Sequence, residues 1–152
     1  MSVFSRDKAT RLIELLGQET ELFRQMLKHT EAQTELIEKD EIDAFNESLD
    51  RRQELIENIN VLHQESQSLM QSYISYSSST GGRKSKSIDT AAASLRELIS
   101  ACAELNEKNI AAAKVKTQSY TERIDKLSTS RKGIGSYILG GSSDSELFDR
   151  KM

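Results

Sequence analysis

Residues 39–76 read KDEIDAFNESLDRRQELIENINVLHQESQSLMQSYISY. Within them Ile42, Leu49, Ile56, His63 and Met70 recur every seven residues. Phe45, Arg52, Ile59, Ser66 and Tyr73 form a companion row, and Leu55, Leu62, Leu69 and Tyr76 a third. A seven-residue apolar repeat held over about five heptads marks a helix that packs lengthwise on other helices. The spacing predicts one amphipathic helix over about 41–76. Its start is legible as well. Asp40 is placed to cap the free amides, and Asp43 falls in the first turn, where negative charge meets the positive end of the helix dipole.

The segment before it carries the same signal. Leu16, Phe23, Thr30 and Ile37 repeat every seven residues, flanked by Leu15, Leu22, His29 and Leu36, with Leu12 and Met26 on the same face. This predicts a helix over about 8–38, some 45 Å long at about 1.5 Å per residue. Gly17 is a weak point inside a strong pattern. The break before Asp40 is short, so the two helices should form an antiparallel hairpin.

After Tyr76 comes a polar loop over about 77–87, rich in serine, with Gly81-Gly82 and the basic cluster Arg83, Lys84, Lys86. A third helix is predicted over about 88–130, capped at Ser87. Ile88, Ala92, Leu95, Ile99, Cys102 and Leu105 line its face. Beyond Asn106 the apolar face thins to Ile110, Ala113, Tyr120, Ile124 and Leu127, and Gly133 is a suitable stop. The fold expected is all-α: an elongated antiparallel bundle of three long helices in a domain over 1–132, then a flexible C-terminal tail over 133–152.

Composition agrees. Among 152 residues there is no proline to break a helix, and hydrophobic residues make up 36% against 30% charged. The formal net charge is -3, which does not suit a nucleic-acid partner, and one small basic loop is not a basic face. No apolar run reaches the roughly 18 residues of a membrane span, so no stable membrane insertion is expected. The start, MSVFSRDKATRL, has no secretory apolar segment. One cysteine allows no internal disulfide. A cytoplasmic protein is the expectation.

Catalysis finds little support. Three positions before His29 and His63 stand Met26 and Asn60, so the Glu-x-x-His pattern of carboxylate metal bundles is absent. No zinc spacing or phosphate-cradling glycine loop occurs. Both histidines read as structural, and Cys102, among Leu98, Ile99 and Leu105, as a buried inert thiol. No enzyme, cofactor or metal is expected. Asn106 and Asn109 are poor helix formers in mid-helix. They either face a neighbour or solvent, or set helix register.

The tail, GIGSYILGGSSDSELFDRKM, mixes four glycines with Ile134, Tyr137, Ile138, Leu139, Leu147 and Phe148. It is either a disordered terminus with incidental apolar residues or a segment that folds on a partner. The second reading uses these six residues, with Tyr120, Ile124 and Leu127, as partner anchors.

Three stretches carry a family resemblance. LLGQETELFRQMLKHTEAQTELI (15–37), KDEIDAFNESLDRRQELIENINVLHQE (39–65) and LNEKN (105–109), followed by a glycine-rich tail with a tyrosine, resemble the FlgN-type flagellar export chaperones. The resemblance implies a cytosolic chaperone. It would bind the hook–filament junction proteins FlgK and FlgL, prevent their premature assembly and deliver them to the export gate of the flagellar type III apparatus. It also implies that substrate binding falls on about Tyr120 to Leu139 and docking at the export machinery on Tyr137. A different class of reading is a structural coiled coil that self-associates, for example as a homodimer, through the wide stripes of its first two helices.

Overall fold

The computed structural model describes residues 4–79 and 81–116. They form three helices, α1 (Arg6–Glu38), α2 (Ile42–Ser78) and α3 (Lys86–Lys114), and no strand occurs among the described residues. The chain runs up, down and up. Arg11 of α1 meets Glu65 of α2, and Gln33 meets Ser48, so these two run antiparallel. Cys102 of α3 meets Phe23 of α1 and Asn109 meets Thr34, so α3 runs parallel to α1. α1 is the shared wall: it packs on both α2 and α3, whose backbones approach each other far less closely.

The heptad rows explain the packing. On α1 the rows Leu12, Glu19, Met26, Gln33 and Leu16, Phe23, Thr30, Ile37 are all buried. On α2 the inward row is Phe45, Arg52, Ile59, Ser66, Tyr73. On α3 it is Ile88, Leu95, Cys102, Asn109 beside Ala92, Ile99, Asn106, Ala113. Each row returns to nearly the same face because 3.6 residues per turn almost divides seven. Gly17 leaves α1 unbroken, with open space where a side chain would stand.

Both helix starts after a loop differ from expectation. α1 ends in a Schellman motif: Glu41 N–H donates to Leu36 O at 2.9 Å and Asp40 N–H to Ile37 O at 3.2 Å. The motif needs one left-handed residue, and Asp40 supplies it with φ 56°. Asp40 therefore closes α1 instead of capping α2. The N-cap of α2 is Glu41, whose side chain makes no capping bond. α3 begins one turn-fraction earlier than expected, with Ser85 rather than Ser87 as its cap; Ser85 Oγ accepts from Ile88 N–H at 3.3 Å. The connecting loop is pinned by Tyr73, whose hydroxyl accepts from Ser85 N–H at 2.7 Å and donates to Asp89 Oδ1 at 2.8 Å. Gly82 is needed here, because a Cβ would lie 1.8 Å from the Tyr76 carbonyl oxygen. α3 ends at Lys114; its expected continuation toward Ser130 and the expected tail lie outside the described residues.

Candidate partner-binding site

The nine expected anchors, Tyr120, Ile124, Leu127, Ile134, Tyr137, Ile138, Leu139, Leu147 and Phe148, all lie outside the described residues. What the described chain builds is the platform they follow. The core comes in two parts. The larger holds Leu12, Leu16, Phe23 and Met26 of α1, Leu55, Ile56, Ile59 and Tyr73 of α2, and Ile88, Leu95, Ile99 and Cys102 of α3. The smaller, beside the α1–α2 turn and the end of α3, holds only Ile37, Phe45, Leu49, Ile110 and Ala113.

Between the two lies a buried polar layer. Thr30, Gln33, Arg52, Asn106 and Asn109 are each 1% exposed or less. The Arg52 guanidinium donates through Nη1 to Thr30 Oγ1 at 2.8 Å and, more weakly, to Gln33 Oε1 at 3.4 Å. Gln33 Nε2 donates to Ser48 Oγ at 2.9 Å. On the α3 side, Asn109 Nδ2 donates to the Thr30 carbonyl at 3.0 Å and Asn109 Oδ1 accepts from Thr34 Oγ1 at 2.7 Å. All three helices are thereby held in one register, since a slip would orphan several buried groups at once.

Arg52 is the exception to the rule that buried charges are paired. Among the described residues no carboxylate bonds to it, and its Nε and Nη2 have no hydrogen-bond partner. Burial pulls its pKa down to about 10, against a smaller upward pull from Cys102, so it stays charged at neutral pH. Burial likewise pushes the Cys102 thiol up to about 12, with Arg52 pulling the other way. The thiol is protonated and donates to the Phe23 carbonyl at 3.4 Å, which fits the inert reading. His29 Nε2 donates to the Ser48 carbonyl at 2.7 Å, and burial lowers its pKa.

The sequence signal for this layer was present. Arg52 and Thr30 stand in the inward heptad rows of α2 and α1, and Asn106 and Asn109 continue those of α3. By apolar count alone α3 weakens after Asn106, and the sequence puts Leu105 on the core face. In the structure Leu105 is only half-buried, and Asn106 takes the core position.

Other features offer little chemistry. A second polar contact joins buried Glu19 to Ser66 Oγ and, at 3.6 Å, to His63 Nδ1. A groove of about 320 Å³ between α1 and α3, lined by Thr20, Arg24, Ser94, Glu97, Leu98 and Ala101, is wide open to solvent. It has no nucleophile paired with a base. Among the described residues no group of three or more histidine, cysteine or acidic side chains could hold a metal ion, and no helix is long and apolar enough to cross a membrane.

Compared with known proteins, the chain matches the FlgN protein family over residues 1–143. No curated protein and no solved structure matches it. The family match takes in all three helices and most of the chain that follows them. The glycine-rich segment with large apolar residues begins at Gly133, beyond the end of α3 at Lys114. The chain belongs to the FlgN family of flagellar export chaperones and shares that family's role of binding flagellar export substrates.

Proposed function

We propose that this chaperone holds the hook–filament junction proteins FlgK and FlgL in the cytoplasm, covers their terminal amphipathic helices and passes them to the flagellar type III export gate. The contacts to the client fall on Tyr120, Ile124, Leu127, Ile134, Ile138, Leu139, Leu147 and Phe148, and Tyr137 serves the export gate. One observation supports placing these contacts beyond α3. The described bundle spends its large apolar side chains on itself. Its exposed ones are few and scattered: Ile13, Val61, Ile74 and Val115. No contiguous patch of the size that marks a partner surface can be drawn from four such residues. A client helix needs a row of anchors at helical spacing, and the residues after 116 hold the remaining supply. Val115, 82% exposed, stands at the threshold of that segment.

Size-exclusion chromatography of the full chain with purified FlgK, FlgL and flagellin tests the client assignment. Co-elution with the junction proteins and not with flagellin is expected. Equal co-elution with all three, or with flagellin alone, contradicts it. For the gate assignment, Tyr137→Ala is expected to leave junction-protein binding within about two-fold while lowering their export. Loss of binding by this variant would place Tyr137 on the client instead.

A further inference from the structure

We propose that residues 106–114, the end of α3, open as a unit from the α1–α2 hairpin, and that the surface they uncover, Ile37, Phe45 and Leu49 beside the Arg52 guanidinium, seats a client helix carrying a carboxylate on its apolar stripe. The inference rests on the chaperone reading above.

Four observations carry it. First, the polar layer cuts the core in two, so opening the small part breaks the Asn109 bonds to Thr30 and Thr34 but leaves the large apolar part closed. Second, α3 gives the small part only Ile110, Ala113 and half-buried Ala112, whereas the hairpin gives Ile37, Phe45 and Leu49. The end of α3 is thus the lightly held member, and what it covers is bulky and apolar. Third, the chain just past α3 is tied to the turn by an ion pair between Lys116 Nζ and Asp40 Oδ1 at 3.4 Å, with Asp40 largely exposed and Lys116 partly so. Exposed pairs hold weakly. Fourth, Arg52 is a buried cation with two N–H-bearing nitrogens unpartnered and no carboxylate bonded to it. Such a charge favours any state that hydrates it or pairs it. Opening allows the first, and a carboxylate on an incoming helix supplies the second through a charge-assisted bond. Among the described residues the closed bundle presents no contiguous apolar patch, so a client seated here has to displace something, and in sequence α3 is followed by the segment assigned to the client.

Hydrogen exchange on the full chain, free and with a FlgK terminal-region fragment, tests the proposal. In the free protein, amides of residues 106–114 are expected to exchange at least ten-fold faster than those of residues 92–102. Fraying of a helix end also gives fast exchange, but it is indifferent to residue 52. Arg52→Met, apolar and of similar length, should therefore slow residues 106–114 at least five-fold relative to residues 92–102 and weaken fragment binding at least ten-fold. An exchange ratio unmoved by Arg52→Met overturns the opening. Should that variant fail to fold, Lys116→Ala should speed residues 106–114 several-fold and no other part of α3; an unchanged ratio again overturns it. If truncation after Lys116 exposes the seat and fragment binding ignores residue 52, the seat belongs to the chain's own later residues and the client assignment falls. No binding by wild type, with the exchange pattern intact, removes the choice of FlgK made under the proposed function while the opening stands.

Discussion

Arg52 and His29 show how a core position can be filled by a charged or titratable side chain without becoming a catalytic site. Arg52 follows the heptad row of Phe45, Ile59 and Tyr73, and that spacing alone placed it inside. What spacing could not supply was its company: Thr30 and Gln33 lie on another helix, and their oxygens meet Arg52 only in the assembled bundle. His29 was legible as structural, and its bond to the Ser48 carbonyl fixes the proton on Nε2. Burial lowers its pKa, with Arg52 and Arg51 adding repulsion and Ser48 opposing both. A depressed histidine contributes stability that is present above its unfolded pKa, near 6.5, and is lost as pH falls through the folded value. His29→Gln keeps a donor for Ser48 and removes the titration. Urea unfolding at pH 7.5 and 5.5 should show wild type losing more stability on acidification than the variant. A larger acid loss in the variant would contradict the assignment.

At the scale of the elements, the helices were readable and their caps were not. Three heptad rows on α2 agree over its length, so its existence and inward face follow from periodicity. The cap of α2 was misread because aspartate suits two opposite tasks. Its side chain can cap a helix start, and it tolerates the left-handed conformation that ends one. Asp40 does the second, at φ 56°. The decision is made by the Glu41 to Leu36 bond across the turn, which no local motif announces. Glycine fits such a position better than any L-residue. In a Lys116→Ala background, where the surface ion pair is already gone, Asp40→Gly should raise stability by about 1 kcal/mol. The measurement is the urea midpoint at unchanged m-value, and a lower midpoint would refute the strained-cap account. The end of α3, where the apolar face thins after Asn106, shows a related effect. Asparagine scores as polar, yet Asn106 and Asn109 are buried, and Asn109 finds its partners in Thr30 and Thr34 of α1.

As a whole molecule, the chain on the proposed reading divides its labour along its length. The three helices bury their large side chains against one another and hold register through the polar layer. Membership of the FlgN family gives the chain its role with export substrates. The bundle was readable from sequence because each heptad row has to find an apolar neighbour, and two other helices of the same chain supply it. The proposed client anchors stand in the sequence as Tyr120, Ile124 and Leu127 on the thinning face expected of the third helix and, from Ile134 on, as a surplus of large apolar residues among glycines. The central claim is that this surplus belongs to the client. The most direct measurement is isothermal titration of a FlgK terminal-region fragment into the full chain and into a version ending at Lys116, with circular dichroism to check that the helices are kept. The account predicts that the shorter chain keeps its helicity and binds at least ten-fold more weakly, retaining whatever the Arg52 seat contributes. Undiminished binding by the shorter chain would show that the anchors after α3 are not where the client is held.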